Sequence, residues 1–310
     1  MKTVLVTGAN GFVGRHLVRE LTANGYSIVA VGGSQVKATD NLQGQKYMTL
    51  DLTKRDETDR IDFAGISGVI HLAGLAAVGP SFDKPMDYIN TNIGIQINLF
   101  ETALAQKAGP RFLIVSSATI YDPKAELPLG EDASVVPNSP YAVSKIGQEQ
   151  MAGYYATRGF ECITVRPFNH IGPGQNPGFI VPDLAQQIIA AEKGLQNEIK
   201  VGNLDAKRDY TDVRDIVRAY RLLTEKGVPG ETYNICSGKA LSGHYILDGL
   251  VKATGYTPTV RQDPVRMRPS DTPEIYGSHQ KLTNHTGWQP EIPFEQTMTD
   301  VIEDWRSRKA

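Results

Sequence analysis

The stretch from Thr3 to Gly14 constrains this chain more than any other. A β-branched apolar run, Thr3-Val4-Leu5-Val6-Thr7, passes straight into Gly8-Ala9-Asn10-Gly11-Phe12-Val13-Gly14, and helix-period residues follow over 16–23. Glycines between a strand and a helix serve a turn that needs unusual backbone angles and that brings bare backbone amides up to an anion. The plain alternative is an ordinary strand-to-helix turn. Placement at the first such junction favours the pyrophosphate of a dinucleotide instead.

Short apolar runs then alternate with longer helical patterns as far as Arg166. The strand candidates are 3–7, 27–31, 47–50, 68–72, 111–116 and 161–166. Such alternation predicts an α/β fold, a doubly wound parallel sheet built from right-handed βαβ units. At 310 residues the chain suits one large dinucleotide-binding domain, 1–166, with a smaller substrate lobe drawn mainly from 167–310. Gly and Pro punctuation after Pro167, in Ile171-Gly172-Pro173-Gly174 and Asn176-Pro177-Gly178, reads as loop and marks the change. A strand-like run at 232–236 suggests that the lobe is interleaved, with segments such as 211–236 returning to the first domain.

Composition excludes several classes. With 32 basic against 34 acidic residues the net charge is −2, which offers no field for gathering nucleic acid. Cys162 and Cys236 lie far apart in apolar runs, as buried thiols of a reducing compartment do, and the histidines lack metal-ligand spacing, so no metal is expected. No run is long and apolar enough to span a bilayer, and the cytoplasm is the expected location.

Tyr141-Ala142-Val143-Ser144-Lys145 opens a helical pattern just after Pro137 and Pro140, and the four-residue offset stacks Tyr141 and Lys145 on one face. A free phenol titrates near about 10, and an adjacent ammonium lowers that value by favouring the phenolate. Alone, such a pair reads as part of a helix surface; beside the glycine turn it reads as a catalytic acid and its partner. The third member would be a hydroxyl at the end of the fifth strand, where Ser117 is preferred and Ser116 is the fallback.

The GxxGxxG spacing together with YxxxK resembles the extended short-chain dehydrogenases/reductases, and the resemblance covers nearly the whole chain. It implies a Rossmann-type domain that holds a nicotinamide dinucleotide with Gly8, Gly11, Phe12, Val13 and Gly14, with Leu72, Ala73 and Gly74 of the turn after the fourth strand, and with Asp51 and Leu52 at the adenine. Ser117, four residues before Tyr121, would orient a carbonyl, and Lys145 would also bind the nicotinamide ribose. At the end of the second strand, Gly32-Gly33-Ser34-Gln35 carries no carboxylate to repel a 2′-phosphate. That predicts NADPH, with NADH as the alternative.

Within this family, sugar 4,6-dehydratases carry an acidic residue two positions after the catalytic hydroxyl. Thr119 stands there, which disfavours elimination. Downstream, Arg166-Pro167-Phe168-Asn169-His170-Ile171-Gly172-Pro173-Gly174-Gln175, the 201–205 and 208–210 stretches, Arg266-Met267-Arg268 and 286–292 resemble the GDP-4-keto-6-deoxy-D-mannose reductases. By that resemblance Asn169, Arg208 and Arg268 would hold the diphosphate, with Ser117, Phe179 and Val201 as further substrate contacts and Arg266 as a substitute for Arg268. His170 is expected to fill space or touch substrate. The partner would be a GDP-linked 4-keto-6-deoxy sugar, reduced to GDP-D-rhamnose or its 4-epimer GDP-6-deoxy-D-talose. Asp122 departs from the glycine usual after Tyr121. A homodimer through the 141–155 helix is expected from the family. The rival readings are a nucleotide-sugar 4-epimerase and a non-catalytic NADP(H)-sensing protein.

Overall fold

Strands that are apolar on both faces need cover on both sides, and a parallel sheet between two helix layers supplies it. The protein follows that plan in a computed structural model that describes residues 2–33, 46–266 and 272–308. In chain order the elements are β1 (Thr3–Thr7), α1 (Phe12–Ala23), β2 (Ser27–Gly32), β3 (Lys46–Thr49), α2 (Arg55–Thr58), β4 (Ile66–His71), α3 (Val78–Ser81), α4 (Pro85–Ala105), β5 (Arg111–Val115), α5 (Pro140–Ala156) and β6 (Cys162–Pro167). There follow β7 (Asn169–Ile171), α6 (Ile180–Glu192), β8 (Glu198–Val201), β9 (Lys207–Asp212), α7 (Val213–Lys226), β10 (Thr232–Ile235), β11 (Ala240–Ser242), α8 (Gly243–Thr254), β12 (Thr259–Gln262), β13 (Glu274–Ile275), α9 (Gln280–Thr286) and α10 (Phe294–Ser307).

The principal sheet has the order β10-β6-β5-β4-β1-β2-β3, every pair parallel. The order in which successive strands are added reverses between β1 and β4, at the crevice where doubly wound sheets take their ligands. Alternation along β1 sends its side chains into two cores. Val4 and Val6 join Leu17, Leu21, Ile216 and Tyr220 under α1 and α7, while Leu5 joins Leu99, Phe100, Phe112 and Tyr155 under α4 and α5. After leaving the sheet at β6, the chain returns to it through α7, which packs on α1, and β10, which pairs with β6.

A third core, with Leu184, Ile188, Ile246, Leu250, Met298 and Ile302, binds α6, α8 and α10 together. In this part β9 lies between β11, antiparallel to it, and β13, parallel to it, and pairs parallel with β7 as well; β8 pairs with β12. The three residues of β7 lie where punctuation suggested loop; so short a strand has no readable period and exists because β9 offers an edge. Both cysteines are free and buried. Among the described residues no helix is long and apolar enough to cross a membrane.

Candidate active site

The glycine turn has the shape its sequence demands. Gly8 has φ +66°, and a Cβ there would lie 2.9 Å from Ala73 N; a Cβ on Gly14 would run into the Gly8 carbonyl and the Ala9 backbone. Gly11 caps α1 without a side-chain hydrogen bond, and no acidic residue stands in the first turn, so an anion at the amides of Phe12 and Val13 would meet no competing carboxylate. Thr7 Oγ1, just before the turn, accepts from Leu72 N and Ala73 N, both at 3.1 Å, and so locks the ends of β1 and β4 together. At the end of β2, Gly32 leaves room for the Asn10 amide, which donates to Tyr47 Oη at 3.1 Å, and Gly33 is exposed. Leu52 is buried. Asp51 accepts from the Thr53 hydroxyl at 2.6 Å, which, with the Thr53 amide and Lys54, holds its carboxyl below the usual range against burial. Ser34 lies outside the described residues.

Gly74, at φ +152°, lies against a residue that sequence reasoning missed. Asn92 of α4 is buried; its Oδ1 accepts from Leu75 N at 2.7 Å, and its Nδ2 donates to Leu75 O at 3.1 Å and to Ser144 Oγ at 2.9 Å. Ser144 in turn donates to Tyr141 O at 2.7 Å. One amide therefore ties the cofactor-side turn to the first turn of α5. The sequence carries no local signal for it, because α4 carries several other polar residues.

Helix α5 starts where Ser139 accepts from Ala142 N at 3.1 Å and Pro140 occupies the first turn, which places Tyr141 at the very beginning of the helix. Its ring is buried, with the Tyr88 ring edge-on at 6.2 Å. Tyr88 was also missed; its hydroxyl donates to Ala77 O at 2.5 Å. Ser117, at the end of β5, accepts from Thr119 N at 3.2 Å and Thr119 Oγ1 at 2.9 Å. Both lone pairs are thus taken, and the hydroxyl proton is left to donate. Tyr141 is its neighbour: burial pushes the phenol up to about 12, a hydrogen bond with Ser117 pulls it down, and Tyr88 adds to the rise. The expected lowering by Lys145 is not among these effects. The ammonium stands 5.7 Å from the ring centroid and donates instead to Val115 O at 2.8 Å and Gln148 Oε1 at 2.9 Å. Burial lowers Lys145 to about 8, opposed by Glu149. The Ser116 hydroxyl is buried beside this group without a partner.

Beneath α5, Arg166 clasps Glu149 with two hydrogen bonds of 2.9 and 2.8 Å and reaches Tyr121 Oη at 3.1 Å; Tyr121 donates to Asn234 Oδ1 at 2.7 Å. Asp122 needs no glycine-like backbone: its φ is negative, its amide donates to Ser134 O at 2.8 Å, and its carboxylate caps the Lys124 amide at 2.9 Å.

The substrate-side candidates spread along the smaller lobe. Asn169 is exposed on β7, and His170 beside it stacks on Phe12 of the glycine turn at 6.1 Å, its imidazole lowered by burial. Arg15 and His16 of α1 reach the carbonyls of Gly174 and Pro173, both at 2.9 Å, so the loop after β7 is tied to the phosphate turn. Phe179 is exposed at the start of α6 and Val201 is buried at the end of β8. A Cβ on Gly202 would strike the Arg266 backbone, which brings Arg266 beside this strand end, 3.8 Å from Asp183. Arg208 donates to Thr272 O at 2.7 Å, and its β13 neighbour Ile275 packs on the cluster of Ala118, Tyr121 and Phe168. Arg268 lies outside the described residues.

The glycine cradle, the uncapped start of α1 and the unpartnered Ser116 hydroxyl fit a bound nicotinamide dinucleotide. The comparisons agree. The family model described as GDP-mannose 4,6 dehydratase matches residues 5–301. The GDP-6-deoxy-D-mannose reductase of Pseudomonas aeruginosa is 34% identical over 98% of this chain and 97% of its own. The structure of RMD from Pseudomonas aeruginosa complexed with NADPH superposes with a TM-score of 0.88 at 33% identity, covering 100% of both chains. That of UDP-glucose 4-epimerase from Bifidobacterium longum in complex with NAD+ and UDP gives 0.87 at 26% identity, covering 99% of this chain and 98% of that one. The chain belongs to the GDP-mannose 4,6 dehydratase family of extended short-chain dehydrogenases/reductases, and it is an NAD(P)-dependent enzyme that modifies nucleotide sugars.

Proposed function

We propose that this enzyme reduces the C4 ketone of GDP-4-keto-6-deoxy-D-mannose with NADPH to give GDP-D-rhamnose. The observation that carries the reading is the Ser117–Tyr141 pair with Thr119, not a carboxylate, as its polar neighbour. Elimination of water needs a proton relay to carbons five and six, and a threonine hydroxyl that donates to Ser117 is a poor relay. A phenol kept protonated by burial is in the form required to donate a proton, which suits reduction of a ketone. In this reading NADPH supplies the hydride when bound. Ser117 turns its one donatable proton from the Tyr141 oxygen to the carbonyl oxygen as a hydrogen bond, and Tyr141 transfers the proton that completes the alcohol. Lys145 binds the nicotinamide ribose and steadies the phenolate left behind.

The lobe over 167–310 would hold the nucleotide sugar, with the sheet domain over 1–166 and the returning 211–236 segment holding the coenzyme. Asn169, Arg208 and Arg268 would take the diphosphate, since guanidinium groups bind phosphate oxygens in forked pairs; Phe179 and Val201 would border the pocket. The exposed Val143 and Tyr154 on α5 support a homodimer through that helix.

The likeness to UDP-glucose 4-epimerases favours a second reading, C4 epimerisation, in which no coenzyme is consumed overall. Incubation with NADPH and enzymatically made GDP-4-keto-6-deoxy-D-mannose separates the two. The proposal expects one NADPH consumed per product and NMR couplings of GDP-D-rhamnose; the talose configuration would correct the stereochemistry, and product without coenzyme loss would favour the epimerase. Tyr141→Phe is expected to lower kcat by about 10³-fold while NADPH affinity is retained. Unchanged turnover would remove the mechanism.

A further inference from the structure

The buried polar groups under α5 hold one residue that the mechanism leaves unused. Gln148, one turn beyond Ser144, is 1% exposed, and its main-chain carbonyl accepts from Gln96 Nε2 at 2.8 Å, which fixes the backbone on which it stands. Its side-chain oxygen accepts from Lys145 Nζ at 2.9 Å. Its side-chain nitrogen lies 3.4 Å from His71 Nε2.

Counting protons shows what that arrangement means. Thr7 Oγ1 already accepts two backbone N–H groups, so the proton on its oxygen goes to His71 Nδ1, 2.8 Å away. Burial and the nearby Lys145 hold His71 down to about 3, so the ring is neutral and carries its proton on Nε2. Two donors therefore face one amide, His71 Nε2–H and the ammonium, and Gln148 has a single oxygen to give. The charged donor makes the stronger hydrogen bond and takes it. With Val115 O holding a second N–H of Lys145, one N–H remains, and its direction is set by the other two.

The groups facing the ammonium leave Gln148 a specific task. On α5 these are Tyr141 and Glu149, on β4 His71; β5 offers the Val115 carbonyl, and Arg166 of β6 engages both oxygens of Glu149. The one nearby carboxylate is thus committed elsewhere, and the acceptors that touch Lys145 are neutral.

We propose that Gln148 is a positioning residue whose amide oxygen sets both the direction and the charged state of the Lys145 ammonium. The inference rests on the reading of Tyr141 and Lys145 as the catalytic pair that contacts coenzyme. An acceptor stabilises the charged form of a buried amine, and a carboxylate in its place stabilises that form further.

The test is the pH dependence of NADPH binding, read by coenzyme fluorescence without any sugar, in the full-length protein. Lys145→Met identifies the alkaline shoulder by abolishing it. Gln148→Leu is expected to move that shoulder down by about one pH unit, and Gln148→Glu to move it up by a similar amount. Shifts of opposite sign are not produced by simple loosening of the helix. If Gln148→Leu does not fold, the near-isosteric Gln148→Glu alone carries the test. Shifts of the same sign, no shift, or a shoulder that survives Lys145→Met would overturn the proposal. The two readings fail separately: a dead Tyr141→Phe enzyme with unshifted Gln148 variants sinks only the role of Gln148. An active Tyr141→Phe enzyme with opposite shifts sinks only the catalytic assignment.

Discussion

Lys145 and Glu149 stand one turn apart on the same helix, and the protein treats their charges in opposite ways. Glu149 is fully answered: Arg166 holds both carboxylate oxygens and extends the pairing to Tyr121 and Asn234. Lys145 has no carboxylate of its own, only a carbonyl and an amide oxygen. A buried charge held by both oxygens of its carboxylate is fixed in place. An ammonium held by neutral acceptors keeps its titration within reach, and burial brings it to about 8. The same helix thus offers one charge for architecture and one for chemistry.

Three experiments would break or sharpen that contrast. Lys145→Met has the largest expected effect: kcat should fall by about 10³-fold, or about 4 kcal/mol of barrier. Thermal unfolding should show no loss of stability near pH 7, because a partly buried ammonium without a counter-ion is removed. A marked drop in Tm would mean that Lys145 is structural too.

Arg166→Leu should do the reverse. It leaves the Glu149 carboxylate buried and unpaired, at a cost of about 3 kcal/mol in denaturant unfolding. Glu149→Leu added to it should recover most of that loss. If the double variant is no more stable than the single one, the pair is not the unit described here.

The smallest effect concerns His71, held neutral beside Lys145. Its folded pKa, about 3, lies below the unfolded value, so the unfolded chain takes up the extra proton as pH falls below about 6.5. Stability from this group is present above that value and is lost on the way down towards pH 3. Between pH 7 and 5 the loss should be about 2 kcal/mol. Urea midpoints for the protein and for His71→Gln, compared at the two pH values, read it as a difference of differences. Equal pH dependence would show that another group governs the acid limb.

The two halves of the molecule were unequally legible. In the sheet half the expected strands lie within two residues of those observed, because strands covered on both faces must be short apolar runs, and the turn at Gly8 to Gly14 tolerates few alternatives. The other lobe strands were missed: β7, β11 and β13 have only two or three residues, from which no period can emerge, and β8, β9 and β12 went unread although they have four to six. In the site, the four-residue offset put Tyr141 and Lys145 on one helix face, and Ser117 was singled out from its position after β5. Asn92, Tyr88 and Gln148 were not, since each acts across an α4–α5 or α5–β4 contact that leaves no local pattern.

The chain's own order of residues decided which groups could meet along one element: three glycines at a strand-to-helix junction, a phenol and an amine one helical turn apart, a hydroxyl at a strand end. Folding in three dimensions decided how those groups behave. The expected lowering of the Tyr141 phenol by its neighbour gave way to a rise, because burial depends on what α4 brings over the ring, and the ammonium turned to acceptors on β5 and α5. Proximity along a helix is a matter of spacing; solvation and hydrogen-bond choice are set by neighbours that are remote in sequence.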